Sequence, residues 1–196
     1  MQLPAGAGDV PAAAQARCQL TRIGASDYGL EGCPPGYFRA LFVVHRDHFA
    51  ESPEELDGAS MALNSGDSHS GWGAAAAWAI ERGMRFRPTL WTGSHEHSIG
   101  AVVSRSVDFA TIDARSFQIL RRLHPAADLL RVIGATDPAP GMTFVTRAGE
   151  DPGPYLTALR AGIAEIEEHH RDWLGLKDVV VLPDEAYDLP LSPDPH

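Results

Sequence analysis

Asn64-Ser65-Gly66-Asp67-Ser68-His69-Ser70-Gly71 runs directly into Trp72-Gly73-Ala74-Ala75-Ala76-Ala77-Trp78-Ala79-Ile80, and this order decides the fold class. The first stretch is polar and glycine-bearing, the composition of a loop. The second is alanine-rich, a helix former that closes near Gly83. Ser60 to Asn64 before it reads as a strand, so the unit is strand, loop, helix. A second such unit follows: Phe86 to Leu90 as strand, Thr92-Gly93-Ser94-His95-Glu96-His97-Ser98 as loop, then a helix from near Glu96 through Val103.

The pattern extends in both directions. Tyr37 to His45 is a strand too apolar on both faces for an edge. Leu20 to Ser26 precedes it as a short strand, joined by the turn-rich Gly29 to Gly36. Ser52-Pro53-Glu54-Glu55-Leu56 reads as a helical turn with Ser52 as N-cap and Glu55 closing a capping box. Downstream come strand Val107 to Ile112, helix Ala114 to Leu123, and strands Leu130 to Gly134 and Met142 to Thr146. Residues 154–173 read as one long amphipathic helix burying Leu156, Leu159, Ile163, Ile166 and Trp173. Strands alternating with helices predict an α/β protein with a largely parallel sheet. Residues 1–17, rich in Ala, Gly and Pro, read as a poorly ordered lead-in, and the Pro- and Asp-rich tail 183–196 as loose.

Charge removes whole classes of function. The 196 residues carry 26 acidic against 16 basic side chains, a net charge of −10, and Lys177 is the lone lysine. Non-specific attraction to nucleic acid or anionic lipid needs the opposite sign, so neither is an expected partner. No stretch approaches the ~20 apolar residues of a membrane span. The N-terminus lacks a positive region followed by an apolar one, so no export signal is read there. Cys18 and Cys33 either form a bridge, worth about 3 kcal/mol for a loop of that length, or stay as two thiols.

In such sheets ligands bind beyond the carboxyl ends of the strands, where loops enter helices. Helix starts offer unpaired N–H groups and a positive dipole end to an anion. Ser68, His69 and Ser70 stand at one start, Ser94 and His95 at the next; the serines are either plain N-caps or anion ligands. Gly71 would let a ligand approach the backbone. Asp113, ending a strand before a helix, is either a cap or a ligand contact. Phosphate-cradling G-x-x-x-x-G-K-[ST], dinucleotide G-x-G-x-x-G and hydrolase G-x-S-x-G motifs are absent, so no cofactor and no catalytic residue is expected. The nine histidines give no H-E-x-x-H pattern, and His95 and His97 straddle a helix start, so no metal is expected. His169 and His170 read as part of a solvated face.

Residues 64–71 resemble the N-D-P-x-S-x-S-G loop of phosphonate-type substrate-binding proteins of ABC transporters. Thr92-Gly93-Ser94-His95-Glu96 is similar to their G-[ST]-H-x-x-[SA] loop, and Val107-Asp108-Phe109-Ala110-Thr111-Ile112-Asp113 to their V-D-x-A-x-x-D strand. Residues 36–44 resemble G-x-Y-x-S-x-x-V-V, the strand that crosses between lobes, and residues 140–145 the returning P-x-x-P-F-V segment. The resemblance spans about residues 24–172. It implies a two-lobed, class II periplasmic-binding fold with parallel-rich sheets: first lobe from 18–56 and 136–182, second lobe from 57–135. It implies a non-catalytic solute-binding component that captures a phosphonate- or phosphate-like oxyanion and serves an ABC permease, in the periplasm. Ser68, His69 and Ser70 would hold the oxyanion, Ser94 and His95 would approach from the second loop, Tyr37 would sit at the crossing, and Asp113 would face the rest of the ligand.

His69 stands where the family commonly has threonine, and Met142 and Thr143 offer no acid to read a ligand amine. The family also places two βα units before the crossing strand, where this chain has its lead-in, so an incomplete first lobe is expected. Two other readings use the same residues: a cytoplasmic small-molecule binding or sensor protein on this scaffold, and a small metal-dependent hydrolase built on His69, His95 and Asp113.

Overall fold

The computed structural model describes residues 20–190 and 192–195. The lead-in 1–17 and Cys18 lie outside the described residues, and with Cys18 the question of a bridge to Cys33. Ten strands follow in chain order: β1 Leu20–Asp27, β2 Tyr37–Phe38, β3 Ala40–His45, β4 Ser60–Leu63 and β5 Arg87–Trp91 come first. β6 Phe109–Asp113, β7 Leu130–Ala135, β8 Ala139–Pro140, β9 Thr143–Arg147 and β10 Asp178–Val180 complete them. The helices are α1 Ala74–Glu81, α2 His95–Val103, α3 Ala114–Leu123, α4 Gly153–Glu165 and α5 Glu168–Leu174.

The strands sort into a five-stranded sheet ordered β5-β4-β6-β3-β7, a three-stranded sheet β10-β1-β9, and a two-stranded ribbon β2-β8. The result is a mixed α/β architecture of two lobes. Parallel pairing is less general than the alternation of elements predicts. β4 runs parallel to β5 and β6, whereas β3 is antiparallel to both of its neighbours and the three-stranded sheet is antiparallel throughout. The reason is topological. β3 enters the large sheet from the other lobe and runs away from it, while β4, β5, β6 and β7 run back towards it.

That entry breaks the predicted strand Tyr37 to His45 at Arg39. Tyr37 and Phe38 pair with Pro140 and Ala139 in the ribbon, and from Ala40 the chain pairs with β6 and β7 instead. By sheet membership, residues 40–45 go with 60–135 rather than with 20–38. Period-2 alternation sends the side chains of this sheet to two covered faces. Phe42, Val44, Met61, Leu63 and Phe109 pack under α1 with Trp72, Trp78 and Phe86, while Val43, Ala62, Ala110 and Ile112 meet Ile99, Val102 and Phe117 of α2 and α3.

Three local expectations are corrected. Ser52 makes no side-chain cap; Pro53–Leu56 is a single 3-10 turn, and the Glu55 carboxylate instead accepts from the Glu51 N–H at 2.7 Å. The helix predicted over 154–173 is two helices, and neither buries a residue. Arg171 donates to the Ala164 and Ile166 carbonyls at 3.1 and 2.7 Å, satisfying acceptors that a continuous helix would have used internally. The tail is docked rather than loose. Asp184 pairs with Arg22 at 2.5 Å, the Arg22 guanidinium lies 4.6 Å from the Tyr187 ring centre, and the Pro193 carbonyl accepts the Trp72 indole N–H at 2.7 Å. Pro and Asp content predicts the lack of regular structure, which is a different property from lack of contacts.

Candidate functional site

Because β4, β5 and β6 are parallel, the helical segments that follow them all begin at the sheet end where β3 enters, the end towards the first lobe. At the first start the chain makes a wide π-type turn, His69–Gly73, before α1. Ser68 Oγ accepts from the Gly71 N–H at 3.1 Å, and the Trp72 and Gly73 N–H groups both reach the Ser68 carbonyl at 3.0 Å. Among the described residues the N–H groups of His69 and Ser70 find no acceptor. At the second start Ser94 Oγ accepts from the His97 N–H at 3.1 Å, and at the third the Asp113 carboxylate accepts from the Ser116 N–H at 2.7 Å. Ser68, Ser94 and Asp113 are therefore N-caps, and capping leaves the first N–H groups of each turn directed outwards.

The three starts are tied together through His95. Its Nε2 lies 3.0 Å from Ser70 Oγ and 3.5 Å from the Asp113 nitrogen. If Nε2 accepts, the proton sits on Nδ1, which is buried and has no partner; Asn64 Oδ1 and Arg39 Nε are likewise buried without one. Buried polar atoms are nearly always satisfied, so these three stand out, as do Ser26 Oγ and Thr111 Oγ1. Gly71 serves a different purpose from the one expected. A Cβ there would overlap Asn64 Oδ1, so the position is small to admit the Asn64 side chain rather than a ligand.

Of the remaining expected residues, Tyr37 sits half-buried in the ribbon opposite Pro140. The aromatic that reaches the loops is Phe38, whose ring meets His69 edge-on at 6.1 Å and 73°. The quoted crossing-strand pattern has its aromatic two places after the glycine, where this chain has Phe38. Arg39 escapes any motif. Its carbonyl accepts from the Ala114 N–H at 3.1 Å, which fixes it against the start of α3, and its charge and that of Asp113 both act on the Cys33 thiol. The Arg39 guanidinium lies against Gly32 and, beside Cys33, comes near the Asp113 cap.

Burial holds the His69 imidazole below its ordinary pKa, and does the same to His95 against the opposing pull of Asp113. The lowered pKa favours the neutral form of both rings at pH 7. The sign for stability follows. A histidine with a folded pKa below the unfolded value of 6.5 favours the folded state fully above 6.5 and progressively less as pH falls towards the folded value. Melting temperature is expected to fall between pH 6.5 and 5, and a His69→Gln/His95→Gln variant to lose part of that slope in thermal scans across the interval. An unchanged slope would mean that the two rings titrate alike in both states.

Two other features lie apart from these residues. A cavity of about 690 Å³ between Tyr28, Arg115, Arg160 and Lys177 adjoins the third helix start through Arg115 but includes none of the loop serines or histidines. Among the described residues, the side chains that draw together as a metal-ligand group are Glu167, His169 and His170, within 4.8 Å of one another and exposed. His69, His95 and Asp113 do not form such a group.

Two α/β lobes joined by a short ribbon, with helix starts of one lobe facing the gap, define a class II periplasmic-binding fold. Solved structures agree. PhnD1 from Prochlorococcus marinus, in complex with methylphosphonate, superposes with a TM-score of 0.69 at 17% identity, over 87% of this chain and 68% of that one. A Xanthomonas citri protein bound to ATP gives 0.67 at 18%, over 89% and 69%. A binding protein component of an ABC phosphonate transporter from Pseudomonas aeruginosa gives 0.63 at 18%, over 86% and 58%. No curated protein matches. The family model described as ABC transporter, phosphonate, periplasmic substrate-binding protein matches residues 7–178, and the chain belongs to that family.

Proposed function

We propose that this chain is a non-catalytic solute-binding component of an ABC-type transporter that holds a phosphonate- or phosphate-like oxyanion between its lobes, in the periplasm, for delivery to a permease. The observation that supports this most is the link Ser70–His95–Asp113, which ties three helix starts to one point at the sheet end facing the other lobe. The free N–H groups of His69 and Ser70 and the Ser70 hydroxyl suit an oxyanion, with Arg39 at the edge as counter-charge. Three or four charge-assisted bonds at about 1.5–3 kcal/mol each suffice for micromolar binding, near −8 kcal/mol. Phe38 forms an apolar side for a small organic substituent, and the ribbon β2-β8 is the hinge on which the lobes close.

Calorimetric titration with inorganic phosphate, phosphite and methylphosphonate tests the reading. At least one is expected to bind saturably in the micromolar range without added metal. No heat from any of the three at millimolar concentration would overturn the ligand class, and metal-dependent turnover of p-nitrophenyl phosphate would overturn the non-catalytic assignment.

A further inference from the structure

After β10 the chain leaves the three-stranded sheet, makes the 3-10 turn Asp184–Tyr187 against β8, and returns to the other lobe. There it touches the first loop at three points. The Pro193 carbonyl takes the indole N–H of the buried Trp72 at 2.7 Å. A Cβ on Gly73 would overlap the Ser192 hydroxyl, and it would also lie 3.4 Å from His69 Nδ1, so Ser192 and His69 occupy the same corner of the turn. The Pro195 ring lies against Gly66, 3.1 Å from where a Cβ would stand. The Ser192 contact is possible only because position 73 carries no side chain, and a side chain at position 66 would crowd Pro195. All three bear on residues 66–73, the segment that supplies the free N–H groups.

We infer that Ser192–Pro195 is a strap that fixes the first loop and walls one side of the ligand site, with Ser192 as a further residue beside His69. A segment whose described residues hold no regular structure but one 3-10 turn spans both lobes, and its far end is spent on the anion loop rather than on solvent. With the strap seated, Trp72 is held through its one polar atom, and the π-type turn after Ser68 is clamped between α1 and the tail. The ligand part of this inference rests on the oxyanion reading above; the clamping part does not.

The test compares the full chain with a variant lacking residues 191–196, which keeps Trp72 intact, and with Trp72→Phe, which removes the donor together with part of a buried ring. Amide hydrogen exchange at Gly71, Trp72 and Gly73, whose N–H groups are bonded to Ser68, and acrylamide quenching of tryptophan fluorescence report on clamping without any ligand. Both are expected to rise in the shortened variant, and exchange to rise in Trp72→Phe. Titration with phosphate and methylphosphonate is expected to show roughly three- to tenfold weaker binding, the scale of one lost hydrogen bond, with faster release. Unchanged exchange in both variants would overturn the strap, whatever the ligand result. Raised exchange with unchanged or tighter binding would overturn the wall. If the full chain itself binds neither anion while exchange still rises, the strap stands and the oxyanion reading falls.

Discussion

A Ser68→Ala/Ser70→Ala protein is expected to bind phosphate, phosphite and methylphosphonate at least two orders of magnitude more weakly than the parent while staying folded. Ser68 holds the Gly71 N–H, and losing that cap frees the first turn at about 1 kcal/mol. Ser70 contributes twice: its oxygen can accept from His95 Nε2 at 3.0 Å, which leaves its single hydroxyl proton for a charge-assisted bond to the anion. The bond to His95 is worth about 1 kcal/mol and the one to the anion about 1.5–3, so with the cap the double change removes up to about 3.5–5 kcal/mol of binding. That is a factor of a few hundred or more, enough to move a micromolar ligand towards or beyond millimolar. Stability should fall by no more than about 2 kcal/mol, the worth of the two loop bonds, because the loop lies outside both core clusters apart from Trp72. Calorimetry on both proteins, with thermal scans as control, decides it. Undiminished affinity would place the anion away from this loop.

Phe42→Ala should be the most damaging single truncation for stability. Phe42 is fully buried, with ring centres 5.1 Å from Trp78, 5.8 Å from Phe86 and 6.3 Å from Phe109. Removing the hub of four aromatics leaves a cavity that a sheet hydrogen-bonded on both sides cannot close, at about 3–5 kcal/mol. Against a typical total of about 5–15 kcal/mol this is a large share, and melting should drop by roughly 10 °C or more. Phe49→Ala is the control: that ring is 76% exposed and its loss should shift melting little. Equal shifts for the two variants would show that the cluster around Phe42 does not dominate the core.

The elements most legible in the sequence are those whose signals are local. Ala114 to Leu123 is a helix with those same bounds, because Asp113 caps it and its apolar spacing is clean. The polar loops before α1 and α2 are equally plain, since glycine, serine and alanine runs announce a loop and a helix start. The failures are long-range. Nothing within Tyr37 to His45 reveals that Ala40 will face Asp113 while Phe38 faces Ala139, so the strand reads as continuous. That same break decides which aromatic reaches His69, and a two-residue ribbon is too short for alternation to choose between Tyr37 and Phe38. Arg171 splitting the last long helix, and Asn64 filling the space above Gly71, are side-chain events between residues that no periodicity links. Arg39 carries no motif signal, because its value lies in the carbonyl that anchors α3.

The lobes are joined near residues 38–40, again near 135–139, and a third time by the tail from Tyr187 to Pro193. A rigid body attached at one point can swing and twist about three axes. Two neighbouring attachments, the paired strands of the ribbon, leave one axis lying between them. A third attachment away from that line allows rotation only until its slack is taken up. Residues 188–191, fully extended, span about 14 Å. If the lobes move on the ribbon as proposed, chain length after Tyr187 would set how wide the cleft can stand open, a mechanical limit written in residue number rather than in any contact between the lobes.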